Sequence, residues 1–217
     1  MSPLSRRAFA AAALAALLAG CGGPGATNGN SPDGSRASDA SSSASSSSAP
    51  SSSAPPHAGP VSAVGRSTPV RLRIPAIGVD TPVMKLGLAA DGTVQVPPIA
   101  AHDRAGWYEH SPTPGQTGPS VILGHVTVGA YGDGVFRHLK DLHKGERIVA
   151  RLENGTAAVF AVTDVRTVAK AAFPSKEVYG NVKRPELRLI TCGGERSGDG
   201  YLDNVIVFAA LRSSSRD

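Results

Sequence analysis

The chain has 217 residues and a formal net charge of +5, from 22 Lys and Arg against 17 Asp and Glu. Residues 1–66 hold four arginines and two aspartates, which leaves a surplus of only three positive charges for the rest of the chain. No basic stripe or aromatic platform accompanies this surplus, so we expect no nucleic-acid partner. About 150 residues suffice for one core without a disulfide or a metal.

The N-terminus predicts export. Arg6-Arg7 precedes an apolar run from Ala8 to Leu18, which is too short for a permanent membrane span but typical of a signal peptide. The run ends in Leu18-Ala19-Gly20-Cys21, which resembles the lipobox of bacterial lipoproteins and implies a lipid on Cys21. A plain secretory signal is the alternative. Residues 5–9 also resemble a twin-arginine signal, so the export route stays open.

The next segment predicts a tether. Residues 22–66 contain almost no large apolar side chain, and residues 41–56 are nearly all Ser, Ala and Pro. Such a composition cannot bury a core and favours a flexible to semi-extended spacer. The predicted organisation is a signal peptide over 1–21, a tether over 22–66 and a folded domain over 67–217. A lipid on Cys21 would hold this domain at the outer face of the cell membrane.

The remaining chain has the pattern of a β domain. From Thr68 onward, short β-branched runs are separated by Gly and Pro. A short helix is predicted over residues 135–142, and the pairs Asp91-Gly92 and Asn154-Gly155 are hairpin signals. We expect a mostly β fold, a closed barrel of seven or eight strands with one or two short helices. The predicted strands are Val70–Ile74, Thr93–Val96, Val121–Leu123, Arg147–Leu152, Ala158–Val168, Glu186–Thr191 and Asn204–Leu211.

Cys192 is the candidate nucleophile. The chain has two cysteines, and if Cys21 is lipidated then Cys192 has no partner for an internal disulfide. An unpaired thiol in an exported protein is either buried and inert or reactive. Because a predicted strand precedes Cys192 and Gly193-Gly194 follows it, we expect the thiol at a strand end beside flexible backbone.

His125 is the candidate partner of this thiol. It follows the predicted buried strand Val121–Leu123, so it is also expected at a strand end. A free thiol has a pKa of about 8.5 and needs a nearby cation or base to react. The other five histidines lie in the tether or in polar stretches and are expected on the surface. No spacing of His and Asp predicts a metal site, and we expect no cofactor.

Two motifs carry a family resemblance. Leu189-Ile190-Thr191-Cys192 is similar to the Leu-x-Thr-Cys signature of sortases, the cysteine transpeptidases of Gram-positive cell surfaces. Ile122-Leu123-Gly124-His125 resembles the strand that carries their histidine, and the order, His before Cys, also fits. With weaker likenesses at residues 72–80 and 135–146, the resemblance covers nearly all of residues 70–211. Cys192-Gly193-Gly194 and residues 201–205 are most similar to the actinobacterial class F sortases.

The resemblance implies a two-step acyl transfer on a Leu-Pro-x-Thr-Gly (LPXTG) sorting signal of a surface protein. The Cys192 thiolate attacks the Thr carbonyl, and His125 protonates the departing amine. A thioester then holds the substrate until an amine acceptor, from a peptidoglycan precursor or another protein, resolves it.

An arginine that the family uses for the oxyanion is absent. Class F members have Tyr-Arg-Asp-Asn where this chain has Tyr201-Leu202-Asp203-Asn204. Arg196 is the preferred substitute, because the loop after Cys192 should border the thiol, and Arg137 is the alternative. If neither reaches the oxyanion, Asn204 or backbone N–H groups carry part of that role.

Three other interpretations compete with this one. L,D-transpeptidases place a His-Gly-Cys cluster around the nucleophile, where this chain has Thr191-Cys192-Gly193, and papain-like hydrolases place the Cys before the His. The missing arginine favours a third possibility, a catalytically impaired sortase-like lipoprotein that acts as a surface binding module. If the protein is a binding module, Cys192→Ala should leave its function intact. If it is an enzyme, the same substitution should abolish its activity.

Overall fold

The computed structural model describes residues 63–198 and 200–216. The predicted signal peptide, Cys21 and the tether up to residue 62 lie outside the described residues. Within them, no helix combines the length and the apolar composition that a membrane crossing requires. The last residues of the predicted tether contact the domain, since the Val64 N–H donates to the Gly115 carbonyl at 2.8 Å.

Eight strands form a closed barrel, as the sequence predicts. Around the barrel they follow the order β1-β2-β3-β4-β7-β8-β6-β5, and β5 pairs back onto β1. The pairs β2–β3 and β4–β7 are parallel, and the others are antiparallel. Closure leaves no unpaired sheet edge. The strands are β1 (Pro69–Ile74), β2 (Val79–Leu86), β3 (Ala105–Tyr108), β4 (Gly118–Leu123), β5 (Arg147–Leu152), β6 (Thr156–Ala169), β7 (Pro185–Ser197) and β8 (Gly200–Arg216).

Helical structure among the described residues is limited to one short α-helix, α1 (Ser175–Tyr179), and five 3₁₀ turns. The helix predicted over residues 135–142 is wrong, because only the turn Leu139–Asp141 forms there. Phe136, Leu139 and Leu142 are nevertheless buried, so their spacing reflected burial in an irregular segment. The other 3₁₀ turns are Pro75–Ile77, Ile99–Ala101, Gly129–Tyr131 and Lys170–Ala172.

Strands β4 and β7 are buried on both faces. Ile122 and Leu189 point into the barrel core, whereas Val121, Leu123 and Ile190 belong to a second apolar cluster on the other face. This second cluster, which we call the outer cluster, also contains Leu86, Val178, Ile206 and Phe208. Because side chains alternate between the faces of a strand, burial of both faces explains the continuous apolar run Val121–Leu123 in β4. In β7 the buried ion pair of Glu186 with Arg188 interrupts the apolar residues.

Three predicted details differ from the structure. Residues 93–96 form no strand; a single bridge joins Leu88 to Val94 around the Asp91-Gly92 turn. The predicted strands also include neither β2 nor β3, which pair with each other in parallel. Finally, β7 continues five residues beyond Cys192 to Ser197, paired with β8. The predicted Asn154-Gly155 hairpin between β5 and β6 is confirmed.

Candidate active site

The parallel pairing of β4 with β7 brings His125 and Cys192 to the same end of the barrel. Leu123 faces Ile190 across this pair, and the Gly124 N–H donates to the Ile190 carbonyl at 3.1 Å. His125 and Cys192 each follow one of the paired residues by two positions. Because neighbouring strands lie about 4.8 Å apart, the two backbones are adjacent one residue before His125 and two residues before Cys192.

The surroundings of Cys192 differ from the expected strand end. Cys192 lies within β7 and pairs with Asn204 of β8, but the register shifts between Gly193 and Arg196. A Cβ at Gly193 would lie 2.6 Å from Val205 Cγ2. Gly194 has a φ of +72°, and a Cβ there would overlap the Asp203 carboxylate. The two glycines therefore permit close packing at an irregular point of the ladder.

Cys192 is a free, partly exposed thiol that lines a cavity of about 90 Å³. Strands β7 and β8 form one wall, and the connection between β4 and β5 supplies the other, including two cationic side chains, Arg137 and Lys140. The thiol therefore faces a small cavity with positive charge at its rim. The remaining lining residues are Val126, Phe136, Thr191, Gly193, Gly194, Tyr201 and Val205. No sequence pattern predicts a role for Lys140.

His125 is held by its main chain and by its ring. The Phe136 N–H donates to the His125 carbonyl at 2.9 Å, and the Gly134 N–H donates to the Val126 carbonyl at 3.0 Å. On the ring, Nε2 lies 2.6 Å from the carbonyl oxygen of Pro97. The ring is half-buried and is not among the groups that line the Cys192 cavity. Sequence reasoning missed Pro97, which lies in the irregular connection between β2 and β3.

The two candidate arginines have different surroundings. Arg137 lines the cavity of Cys192, and its Nε lies 3.3 Å from Asp133 Oδ1. Arg196 is exposed, does not line that cavity, and its guanidinium lies 5.5 Å from the centre of the Tyr201 ring. Leu202, at the position where class F members have arginine, is 51% exposed.

A larger apolar cavity of about 510 Å³ lies where the β2–β3 and β6–β7 connections meet. Its lining residues Val94, Tyr108 and Phe173 pack against the outer cluster that contains Leu123 and Ile190. The cavity therefore adjoins the sheet face that leads to His125 and Cys192. Its wall is aromatic, and burial, with a smaller contribution from Tyr108, raises the pKa of the Tyr179 hydroxyl. The other lining residues are Leu88, Gly92, Thr93, His110, Ser175 and Tyr179.

A thiol, an imidazole and a guanidinium gathered at one end of the barrel are the groups that nucleophilic acyl transfer requires. The thiol supplies the nucleophile, the imidazole a proton acceptor and donor, and the guanidinium a charge for a developing oxyanion. Across residues 63–198 and 200–216, no three His, Cys, Asp or Glu side chains are grouped as metal ligands.

Comparisons with known proteins agree with this chemistry. The family model described as the Sortase domain matches residues 72–212, a range that includes both His125 and Cys192. No curated protein matches the chain in sequence.

Solved structures show the same fold. Sortase A of Listeria monocytogenes is 16% identical with a TM-score of 0.53, over 69% of this chain and 91% of that one. The SrtA sortase of Actinomyces oris is 25% identical with a TM-score of 0.52, over 74% and 89% of the two chains. A sortase D5 transpeptidase of Clostridium perfringens is 20% identical with a TM-score of 0.50, over 67% and 79%.

Proposed function

Since the chain belongs to the sortase family, we propose that it is a class F cysteine transpeptidase that cuts an LPXTG-like sorting signal after Thr. It transfers the acyl group to an amine of the cell wall or of another protein. The observation that carries this proposal is the register of β4 and β7, which brings Cys192 and His125 to one end of the barrel. The segments Cys192-Gly193-Gly194 and Tyr201-Leu202-Asp203-Asn204-Val205 support the class, although Leu202 departs from its pattern.

The reaction proceeds through a thioester. The Cys192 thiolate adds to the Thr carbonyl carbon, and the carbonyl electrons move to oxygen to give an oxyanion. As the oxyanion collapses, the C–N bond to Gly breaks, and His125 donates a proton to the departing amine. In the second step His125 accepts a proton from the incoming amine, which attacks the thioester and releases Cys192.

Arg137 is the group we assign to the oxyanion. It lines the same cavity as the thiol, whereas Arg196 lies against Tyr201. A guanidinium that stabilises charge only in the transition state accelerates the reaction without tightening substrate binding. The Asp133 carboxylate, 3.3 Å from the Arg137 Nε, limits the positions that the guanidinium can take.

The apolar part of the sorting signal fits the 510 Å³ cavity. A Leu-Pro segment needs an apolar surface, and the cavity wall contains Val94, Phe173 and Tyr179. Because this wall packs on the outer cluster with Ile190, a bound peptide would run along the sheet towards Cys192, two residues further on.

Sortases generally act outside the cell or at its surface. We propose that this chain is anchored at the outer face of the membrane by a lipid on Cys21, with residues 22–66 as the tether. The resemblance of Leu18-Ala19-Gly20-Cys21 to a lipobox supports this. The exposed Leu202 in place of arginine favours one second candidate, a catalytically impaired sortase-like binding module.

A transfer assay distinguishes the two. Residues 22–217, which omit Cys21, are incubated with LPXTG peptides and an amine acceptor. The enzyme joins the peptide, cut after Thr, to the amine, and Cys192→Ala and His125→Ala abolish this product. The matched control is His143→Ala, an exposed histidine that does not line the Cys192 cavity. Binding of the peptide without any product, by a folded protein, would instead identify the binding module.

A further inference from the structure

The contact between Pro97 and His125 suggests a role for the connection between β2 and β3. The Pro97 carbonyl oxygen lies 2.6 Å from Nε2 of His125, across 28 residues of sequence. We propose that this carbonyl is the positioning group of the catalytic imidazole: it keeps the proton on Nε2 and leaves Nδ1 to exchange protons with the substrate. The inference rests on the proposed function of His125.

The chemistry of the contact determines the tautomer. A carbonyl oxygen only accepts hydrogen bonds, so Nε2 must be the donor at this distance. A neutral imidazole carries one N–H, and with that N–H on Nε2 the free lone pair is on Nδ1. Within the described residues, no protein group bonds to Nδ1. Nδ1 is therefore free to take a proton from the acceptor amine and to return one to the leaving amine.

The Pro97 carbonyl is itself held in one direction. Proline fixes its own φ and restricts the residue before it to extended backbone, so Pro98 limits the ψ of Pro97. Pro98 has φ −58° and ψ 144°, and its carbonyl accepts from the Ala101 N–H at 2.8 Å. On the other side, the Gln95 N–H donates to the Gly87 carbonyl at 3.1 Å. Both ends of the short segment are therefore anchored.

The opposite side of His125 is fixed as well. Its main-chain carbonyl accepts from the Phe136 N–H, so the backbone cannot turn to follow a displaced ring. A base whose second nitrogen is bonded to a fixed acceptor is the arrangement found in catalytic triads, with a neutral backbone carbonyl here in place of a carboxylate.

The test uses Pro98, which is exposed and touches neither the thiol nor the imidazole ring in the described contacts. Pro98→Gly and the milder Pro98→Ala release the ψ of Pro97 without removing its carbonyl. Pro75→Gly is the matched control, because Pro75 is also exposed and also opens a 3₁₀ segment, Pro75–Ile77. Melting temperatures verify that the variants fold.

Two readouts are required. The ¹⁵N spectrum of the labelled His125 ring, recorded without substrate, should show the Nε2–H tautomer in the wild type and in Pro75→Gly, and a mixture in Pro98→Gly. In the transfer assay, Pro98→Gly should lower kcat at least tenfold while KM changes less than twofold. The kcat of Pro98→Ala should lie between those of the wild type and Pro98→Gly.

An Nδ1–H or mixed tautomer in the wild type would overturn the proposal, and so would a kcat of Pro98→Gly equal to that of Pro75→Gly. The spectrum needs no turnover, so it can be read even if the wild type makes no product. An inactive wild type with the Nε2–H tautomer would therefore refute the proposed function while leaving the orientation of His125 supported.

Discussion

Arg137 lines the same cavity as Cys192, although the two residues come from different parts of the barrel, the β4–β5 connection and strand β7. Arg196, which is only four residues from Cys192 in sequence, does not line this cavity; its guanidinium lies 5.5 Å from the ring of Tyr201, which does. Closeness along the chain is therefore a poor guide to which guanidinium lines the cavity of the thiol.

Replacement of Arg137 by Ala should lower kcat/KM by about 10²–10³-fold, the cost of losing one donor to an oxyanion. Arg196→Ala should change kcat/KM less than threefold. Both arginines are exposed enough that neither substitution should unfold the protein, which thermal melting can verify. Steady-state kinetics of peptide transfer measures the effect, and a larger loss in Arg196→Ala would reverse our assignment.

The variant Leu202→Arg should partly restore an enzyme that lacks Arg137. Asn204 pairs with Cys192, and Leu202, two residues before Asn204, lies on the same face of β8. An arginine at this exposed position would bring a second guanidinium near the thiol. We expect at least a tenfold gain in kcat/KM in the Arg137→Ala background. The control is Leu202→Lys in the same background, because an ammonium cannot donate two parallel hydrogen bonds as a guanidinium does. An equal gain in kcat/KM with lysine would show that positive charge alone is enough.

The variant Gly134→Ala should impair both activity and stability. A Cβ at Gly134 would overlap the main-chain carbonyl of His125, so the β4–β5 connection must move to accept it. We expect a loss of about 1–3 kcal/mol in the free energy of unfolding and a clear fall in kcat. Gly65→Ala is the control, because nothing lies within 4 Å of its added Cβ. Urea unfolding and transfer kinetics measure the two effects; an unchanged kcat would show that His125 tolerates the shift.

The Glu186 carboxylate should make stability depend on pH. Burial raises the pKa of this carboxyl, but hydrogen bonds from Arg188 and Arg184 outweigh burial and lower it below its ordinary value. A carboxyl with a lowered folded-state pKa stabilises the protein above the unfolded pKa of about 4.3, and this contribution disappears as the pH falls through the folded pKa. Arg188 is only 3% exposed, so the pair is buried.

At pH 7, the free energy of unfolding of Glu186→Gln should therefore be about 3 kcal/mol lower than that of the wild type. This difference should shrink below pH 4. Urea unfolding at several pH values measures it. Asp80→Asn, which removes an exposed partner of Arg71, is the control and should change stability little. A difference for Glu186→Gln that stays constant with pH would rule out the carboxylate charge as its cause.

The closed barrel and the positions of the candidates His125 and Cys192 could be predicted from the sequence for a physical reason. Strands β4 and β7 are buried on both faces, so the apolar residues Val121–Leu123 and Leu189-Ile190 directly precede Gly124-His125 and Thr191-Cys192. The helix predicted over residues 135–142 is wrong because side chains there are buried at helix-like intervals although the backbone forms no α-helix. The Pro97 contact could not be read from local patterns, because it joins an irregular segment to a residue 28 positions away.

The continuation of β7 past Cys192 was also beyond local patterns. Gly193-Gly194 normally signals the end of a strand, but pairing with β8 carries the ladder through both glycines by a change of register. In this region the partner strand determines the conformation, and single-strand propensity does not.

Intact-protein mass spectrometry tests the proposed acyl transfer on residues 22–217, which omit Cys21, after brief incubation with an LPXTG peptide and no amine. The sample is quenched in acid, which preserves thioesters. We expect the mass of the protein to increase by the acyl fragment that ends at Thr, with the added mass on Cys192. The variant Cys192→Ala should show no such species. A folded protein whose Cys192 thiol reacts with a small alkylating reagent but never carries the acyl fragment would contradict it.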